Sequence, residues 1–567
     1  MTEPWASSGQ APTLDQVFNQ STPFRDVNLF TSDRVLREAV AREGGSSAIP
    51  RLMMMGAKTG SADAFERGRL ANDNPPRLRS FDEKGRRLDI VEFHPAYHDC
   101  MALSMEEGLH CSAFDHLANG LDAMPNPGAN VIRAAGSYMA VQMEAGHCCP
   151  ITMTNAAIAT LRYQPGIAAE WLPRLLNRSY DRSFRPPAEK QSATVGMGMT
   201  EKQGGTDVRA NLARAEPVGA DTNPGAGYRL TGHKWFMSAP MSDAFLMLAQ
   251  AAGGLSCFFV PRFLPDGTVN ALHFLRLKDK LGNRSNASSE VEFAGALGFL
   301  IGEEGRGVPA IIEMVTHTRL DCVVSSAALM RLCLASAIHH CQQRQVFGKV
   351  LTEQPLMQSV LADLALDCEA ATQLAFRLAG AFDRQHAEEE QAWRRVMTPV
   401  AKYWVCKIAP NFAYEAMECL GGNGYVEENG LARIYREAPV NAIWEGSGNV
   451  MGLDVLRILM KEADAANLVL DRLGDQANGE RRLTLHIGRV RDLLHKPREI
   501  EANARTLMEG LAMAAAACLL RAHAPAFVSD AFISGRLDEP RFRTYGTAVG
   551  RADTAAILTR STPSSAR

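Results

Sequence analysis

Two kinds of hydrophobic spacing alternate along the chain. Residues 93–178 and 307–460 carry long runs of Ala, Leu and Met with few β-branched clusters, which is typical of helices. Between these regions the apolar residues fall into short runs bounded by turns. We predict strands there at Tyr228–Leu230, Lys234–Met237, Phe245–Leu248, Leu255–Val260 and Val291–Phe293. This order predicts a helical domain, a compact β domain and a second helical domain.

The second helical region divides into long segments. We predict helices over about 311–346, 355–382 and 391–420, and a fourth after Asn449, which together favour a four-helix bundle. Pro399 and Pro410 should kink or divide the third helix. More helical sequence follows residue 461. The predicted fold is α+β and mainly α, with an N-terminal extension and helical domain (1–193), a β domain (194–300), a bundle (301–460) and an extra helical domain (461–567).

Length and composition narrow the class of protein. With 567 residues and a net charge of −3, the chain is too long for one core and has an ordinary globular charge balance. We expect no membrane span, because no apolar run reaches the required length, and no secretory signal, because residues 1–10 are polar. The twelve cysteines form no CxxC pair and no zinc spacing. They predict buried thiols, no metal and a reducing cytoplasm.

The stretch from Tyr435 to Asn449 carries the strongest candidate for catalysis. Glu445 stands between Trp444 and Gly446, a place where an apolar ring partly desolvates the carboxylate and raises its pKa toward working pH. A general base needs such a pKa. The alternative is an ordinary loop with a solvated glutamate, and the motif alone does not separate the two.

A second constellation lies in the predicted β domain. Thr200 and Thr206 flank a pair of glycines, and Phe236 and Ser238 end a strand. Hydroxyls and exposed backbone amides beside a flat aromatic ring suit a planar, hydrogen-bonding heterocycle such as an isoalloxazine. The alternative is an ordinary glycine turn next to an ordinary strand.

Taken in order along the chain, these motifs carry a resemblance. The sequence runs through Met-Thr-Glu-Lys-Gln-Gly-Gly-Thr-Asp (199–207), Gly-His-Lys-Trp-Phe-Met-Ser (232–238), Arg-Gln-Val-Phe-Gly (344–348), Leu-Gly-Gly-Asn-Gly-Tyr (420–425) and Trp-Glu-Gly-Ser (444–447). It resembles the acyl-CoA dehydrogenase family over about residues 93–460. The N-terminal extension, the run 277–288 and the extra C-terminal helices are similar to its alkylation-response flavoprotein branch.

The resemblance implies a helical domain, a β-barrel domain and a four-helix bundle. It also implies non-covalent FAD at a subunit interface, within a homotetramer. Thr200 and Ser238 would also meet the substrate, and Arg344 and Phe347 would reach the FAD of a neighbouring subunit. The cofactor-binding residues that the resemblance implies are Met197, Gly198, Met199, Thr200, Gly205, Thr206, Phe236, Met237, Ser238, Arg344, Phe347, Ile443, Trp444, Gly446, Ser447, Gly448 and Asn449.

By the same resemblance, Glu445 is the base that removes the α-proton of an acyl thioester while hydride passes from the β-carbon to the flavin. Arg319 matches a position near the base, with a structural ion pair as the alternative. Trp444 is larger than the residue usual in the family. Together with Phe236 and Met237, it predicts a narrow acyl channel and poor turnover of long-chain acyl-CoA.

The C-terminal region carries a basic stripe. Leu483, Ile487, Val490 and Leu494 recur at helical spacing and form an apolar face. The basic residues beside this face are Arg481, Arg482, Arg489, Arg491, Lys496 and Arg498. Such a stripe is an electrostatic footprint for phosphate backbones, or a solvated helix face. Resemblance to the alkylation-response branch favours sequence-independent binding of double-stranded DNA.

Two functions therefore compete. One is a DNA-binding flavoprotein of the adaptive response to alkylation damage, with weak dehydrogenase activity toward short or branched, isovaleryl-like acyl-CoA. The other is a competent acyl-CoA dehydrogenase of fatty-acid or branched-chain amino-acid catabolism without DNA binding. Within the first, repair of alkylated bases and destruction of alkylating agents both stay open.

Overall fold

The computed structural model describes residues 15, 17–162, 164–494, 499–537, 544–545, 547 and 552–564. Its first part is helical, with one hairpin of strands that the sequence did not predict. The helices are α1 (Arg34–Arg42), α2 (Ile49–Thr59), α3 (Ala62–Asp73), α4 (Pro95–Glu106), α5 (Ala129–Met143), α6 (Cys148–Leu161) and α7 (Pro165–Leu175), and the hairpin is β1 (Arg77–Phe81) with β2 (Arg87–Glu92).

A seven-stranded, barrel-like sheet follows. Its strands are β3 (Val195–Thr200), β4 (Arg214–Pro217), β5 (Gly227–Ser238), β6 (Ala244–Ala251), β7 (Gly254–Pro261), β8 (Leu272–Leu277) and β9 (Ser288–Ile301). They pair in the order β3-β5-β4-β6-β7-β9-β8, and the extra pairings β3–β6 and β5–β9 curl the sheet onto itself. The buried face of β5 and its neighbours forms a core of its own. The predicted β domain is therefore confirmed.

Two of the predicted strands prove to be one. Tyr228–Leu230 and Lys234–Met237 both lie in β5, because shifts of register against β9 let the strand continue past Gly232. Gly232 has a φ of +139°, a conformation open to glycine and rarely to other residues. A Gly in a strand often marks such a bulge, not an end. Strands β3, β4 and β8 were not predicted as strands.

The bundle is close to its prediction. Its helices are α8 (Gly307–Gln343), α9 (Pro355–Asp383), α10 (Glu388–Cys419), α11 (Gly422–Tyr425), α12 (Leu431–Glu437) and α13 (Gly448–Lys461), and the small hairpin β10 (Gln345–Val346) with β11 (Lys349–Val350) follows α8. Helix α10 runs on through Pro399 and Pro410, so the prediction that these prolines divide it is wrong. Packing against α8, α9 and α13, with most of its residues buried, holds the helix together despite two lost hydrogen bonds.

The C-terminal helices are α14 (Ala463–Gln476), α15 (Arg481–Leu494), α16 (Ala504–His523), α17 (Ala526–Leu537) and α18 (Thr554–Ser561). Their apolar residues belong to the same buried cluster as those of α8, α9 and α10. Arg536 and Arg560 also form buried ion pairs with acids of α9. The C-terminal helices thus extend the core of the bundle. The bounds of the four predicted domains stay predictions.

Helix α8 corrects one expectation from composition. By length and apolar character alone it could cross a membrane, contrary to the expectation that no run is long enough. Within the protein, 83% of its most apolar window is buried, as in a core helix. All twelve cysteines are free and buried, as predicted. In the described ranges, no group of three or more His, Cys, Asp or Glu is placed to hold a metal ion.

Candidate active site

Glu445 sits in a tight loop between a 3-10 turn (Ala438–Ala442) and the start of α13. Its φ of +57° is unusual for a residue with a side chain, and Gly446 follows with a φ of +105°. Such a backbone costs about 1–3 kcal/mol and persists only where surrounding contacts enforce it. The ammonium of Lys402, on α10, supplies these contacts: it donates to the carbonyl of Trp444 at 2.8 Å and to the carbonyl of Gly446.

Among the described residues, one side-chain donor holds the carboxylate of Glu445. The Thr318 hydroxyl, on α8, donates to Oε2 at 2.7 Å. Burial raises the pKa of Glu445 above its ordinary value, although the Thr318 hydrogen bond and the charges of Arg319 and Lys402 oppose the rise. A partly buried carboxyl whose pKa is raised, with its other oxygen free of side-chain donors among the described residues, suits a general base.

Arg319 acts on the backbone of this loop. Its Nε donates to the Glu445 carbonyl at 3.0 Å, and its Nη1 lies 2.6 Å from the carboxylate of Asp454 on α13. Both partners of this ion pair are buried. The geometry is that of the structural ion pair left open as the alternative. We therefore treat Arg319 as a positioning residue.

The Glu445 carboxylate faces a narrow cavity of about 40 Å³ between α6, α8 and the loop. A buried water needs roughly 10–15 Å³ by the same measure, so the free space is that of a few water molecules. Trp444 forms one wall and is fixed there by its indole N–H, which donates to Asn441 at 3.0 Å. The cavity wall also includes Cys148, Met153, Asn283, Leu329, Glu437 and Val440.

Comparison with known proteins bears on this geometry. Residues 19–182 match the adaptive response protein AidB N-terminal domain, 196–296 the acyl-CoA dehydrogenase middle domain, and 305–460 the acyl-CoA dehydrogenase C-terminal domain. The chain is 49% identical over 484 residues to AidB of Escherichia coli (strain K12), an alignment that spans 85% of this chain and 87% of that protein. The chain belongs to the acyl-CoA dehydrogenase family.

Two further comparisons agree. The chain is 31% identical to acyl-CoA dehydrogenase family member 11 of Caenorhabditis elegans, over 77% of this chain and 70% of that protein. The crystal structure of C. elegans ACDH-11 in complex with C11-CoA superimposes with a TM-score of 0.81 at 26% identity, over 99% of this chain and 94% of that one. The predicted resemblance, its AidB-like branch and the predicted fold are confirmed. The chain is an acyl-CoA dehydrogenase-type oxidoreductase, and FAD is the cofactor that membership of this family implies.

In this acyl-CoA dehydrogenase fold, strands β3 and β5 bring the predicted flavin residues together. Met197 pairs with Ser238, and Thr200 pairs with Phe236. The Phe236 ring is 48% exposed, and Thr200 and Ser238 are partly exposed beside it. A Cβ added to Gly205 would lie 2.5 Å from the Thr200 hydroxyl, so the glycine keeps this cradle open. The residues fit a flat polar ligand such as FAD.

The other predicted cofactor residues differ in their exposure to solvent. Met237 is fully buried in the barrel core, so only its backbone could meet a cofactor. Gly205 and Thr206 are exposed on the turn after β3, and Ile443 is 65% exposed next to Trp444. Asn449 is already engaged, because its Oδ1 accepts a hydrogen bond from Arg505 of α16 at 2.8 Å. These cofactor-binding roles stay predictions, as do those of Gly198, Met199, Gly446, Ser447 and Gly448.

Arg344 caps the end of α8, and Phe347 lies in the turn between β10 and β11. Phe347 is 95% exposed and has a φ of +53°. Arg344 donates to the carbonyl of Asn19, which fastens the N-terminal extension to this hairpin. A phenyl ring held out in a strained turn suits contact with another chain, as predicted, and this role stays a prediction.

Acidic neighbours pair with some of the arginines in the basic stripe that was predicted to bind DNA. Arg482 pairs with Glu480 at 3.0 Å, and Arg491 pairs with Asp471 at 2.8 Å. Arg481 and Arg489 are exposed on α15. Lys496 and Arg498 lie outside the described residues.

Sequence reasoning missed two residues of this site. Lys402 was not singled out, although a lone cation in the apolar run Val400–Cys406 is a signal, because lysine is almost never buried without a partner. Thr318 stands next to Arg319 in sequence, yet its hydroxyl touches the base while Arg319 holds only the backbone. No local pattern distinguishes these two roles.

Proposed function

We propose that this protein binds FAD without a covalent bond and oxidises short or branched acyl-CoA thioesters, with isovaleryl-CoA as the type, at a low rate. The observation that carries the proposal is the partly buried Glu445 carboxylate, whose pKa is raised and which lines a small cavity. Membership of the acyl-CoA dehydrogenase family supports the reaction class. The small cavity supports the restriction to short acyl groups.

The reaction has a simple balance. The Glu445 carboxylate takes the α-proton of the thioester, and a bound flavin would supply the acceptor for the hydride of the β-carbon. The lost proton and hydride leave a double bond between the two carbons. Thr318 and Lys402 keep the base in place, while Trp444 excludes water that would otherwise protonate the developing enolate. Phe236, Thr200 and Ser238 would hold the flavin ring on the side of β3 and β5.

The test is anaerobic bleaching of bound FAD by isovaleryl-CoA in the native protein and in Glu445→Gln. The variant keeps the size of the side chain and a hydrogen-bond acceptor for Thr318, so we expect unchanged FAD content and loss of bleaching by about three orders of magnitude or more. Bleaching at the native rate in Glu445→Gln would refute the assignment of the base. Absence of bleaching in the native protein would refute the proposed reaction.

We also propose that the C-terminal helices bind duplex DNA without sequence preference, as part of an alkylation response. Residues 461–567 carry 16 Lys and Arg against 13 Asp and Glu, on a chain that is acidic overall. Arg481 and Arg489 are exposed residues of α15. The competing function, catabolic dehydrogenation without DNA binding, shares the active site and differs only in this surface.

Fluorescence anisotropy of a labelled duplex across a salt series separates these functions. We expect binding at low salt whose affinity falls steeply as salt rises, because phosphate contacts release counterions. The double variant Arg481→Glu with Arg489→Glu should weaken it about tenfold or more. The control, Arg214→Glu with Arg229→Glu on exposed positions of the barrel, makes the same change of charge. No binding at low salt, or equal loss in both variants, would remove the DNA proposal.

A further inference from the structure

The cavity in front of Glu445 has a second carboxylate in its wall. Glu437 ends α12, is 3% exposed and lines the same cavity. Its Oε1 accepts a hydrogen bond from the Asn72 side chain at 3.2 Å, and its Oε2 accepts the backbone N–H of Asn283 at 2.8 Å. In the described part of the chain, no Lys or Arg lies within 4 Å of this carboxylate. Each of its oxygens can therefore accept a further hydrogen bond from a ligand.

Asn283 places a hydrogen-bond donor next to this acceptor. It lies in the wall of the cavity, is 2% exposed and has a φ of +55°, so the chain is strained where it meets the cavity. Its Oδ1 accepts from the Asn286 side chain at 3.1 Å, whereas its Nδ2 donates to no acceptor among the described residues. A buried amide without an acceptor is costly unless a ligand or water meets it.

The segment that carries Asn283 is firmly held. Ser285 donates to Glu144 at 2.7 Å, and the Glu144 carboxylate also accepts the backbone N–H groups of Gly146 and His147. The Lys280 ammonium lies partly buried in the same segment and donates to the Asn286 carbonyl at 2.7 Å. These contacts hold the segment on both sides of Asn283 in place.

We propose that Glu437 and Asn283 form a polar subsite that selects acyl groups bearing a hydroxyl at the end distant from the thioester. The hydroxyl would donate to the Glu437 carboxylate and accept from the Asn283 amide. One hydroxyl thus satisfies both groups, whereas a methyl group satisfies neither. This inference rests on the proposed function, because it places the acyl chain in the cavity that Glu445 faces.

The pKa of Glu437 is consistent with a role as a hydrogen-bond acceptor. Burial raises the pKa of Glu437 to about 7; Glu144 adds to the rise, while Arg433, the Asn283 N–H and Lys280 oppose it. Glu437 is therefore divided between its neutral and ionised forms near neutral pH, and both forms accept a hydrogen bond. A pocket that binds only apolar groups would not carry a carboxyl at its end, because burying a carboxyl costs stability.

The test measures binding and turnover separately. Isothermal calorimetry on the FAD-loaded protein compares 4-hydroxybutyryl-CoA with butyryl-CoA, and 5-hydroxypentanoyl-CoA with pentanoyl-CoA. For at least one pair we expect the hydroxylated thioester to bind about tenfold more tightly. Anaerobic bleaching of the flavin by the same thioesters gives the corresponding ratio of rates.

Two variants test the assignment to these side chains. Glu437→Leu and Asn283→Gly should each reduce the preference to about one, and Gly accepts the φ of position 283 without strain. Damage to the fold would lower the affinity for both members of a pair alike and leave their ratio unchanged. A preference that persists in both variants, or equal binding of each pair by the native protein, would overturn the proposal. Absence of bleaching by every thioester, with the binding preference intact, would instead count against the proposed dehydrogenation and leave the subsite standing.

Discussion

Replacing Lys402 with Met removes the clamp on the Glu445 loop while keeping nearly the same side-chain length. Lys402 is 1% exposed, and its ammonium donates to the carbonyls on both sides of Glu445. A hydrogen bond to a charged group contributes about 1.5–3 kcal/mol, and two buried carbonyls would lose their donor. We expect the free energy of unfolding to fall by about 3 kcal/mol, measured by urea denaturation.

The same substitution should change the pH dependence of flavin reduction. Glu445 acts as a base only when ionised, and its pKa is already raised by burial. The positive charge of Lys402 lowers this pKa, so its removal raises the pKa further. The ascending limb of the rate against pH therefore moves to higher pH. The freed loop should also lower the rate on the plateau by about 10²-fold, since small errors of placement are costly.

Arg377→Met is the matched control. Arg377 forms a buried, two-pronged ion pair with Glu390 in the bundle, at 2.7 and 2.8 Å. Its loss should cost comparable stability without moving the pH profile, because it does not contact the Glu445 loop. A Lys402→Met protein with native stability, plateau rate and pH profile would refute the role given to Lys402.

Two further predictions concern the substrate and the assembly. Undecanoyl-CoA has the acyl chain length of the thioester in the C. elegans ACDH-11 complex. It should bleach the flavin at least tenfold more slowly than isovaleryl-CoA, because the cavity of about 40 Å³ has no room for a long chain. Faster bleaching by the long thioester would contradict the narrow channel. Phe347→Ser should weaken both FAD binding and the predicted homotetramer, because this ring is 95% exposed at the position predicted to reach a neighbour's cofactor. Light scattering measures the assembly, and flavin titration measures the affinity for FAD. A tetramer with native FAD affinity would contradict this prediction.

The fold was predictable where one local signal was strong. The long apolar runs of α8, α9 and α10 gave helix bounds within about four residues of those observed. The failures came where tertiary contacts override local rules. Pro399 and Pro410 do not divide α10 because the surrounding helices bury it, and Gly232 does not end β5 because a bulge carries the strand past it.

The active site was predictable only as far as it is local in sequence. Glu445, Trp444 and the two glycines stand together, so their pattern indicated a desolvated base. Lys402 and Thr318 come from α10 and α8, and only the folded chain brings them to the loop. The sequence placed Arg319 near the base, and only the folded chain shows that it bonds to the Glu445 carbonyl and to Asp454.

The central claim is that the Glu445 carboxylate meets the α-carbon of a bound acyl thioester. Its most direct test is exchange of the α-protons of isovaleryl-CoA in deuterated water, followed by proton NMR with the FAD-loaded protein and with Glu445→Gln. We expect loss of the α-proton signal with the native protein and its retention with the variant. Equal exchange by both proteins, or no exchange by either, would contradict it.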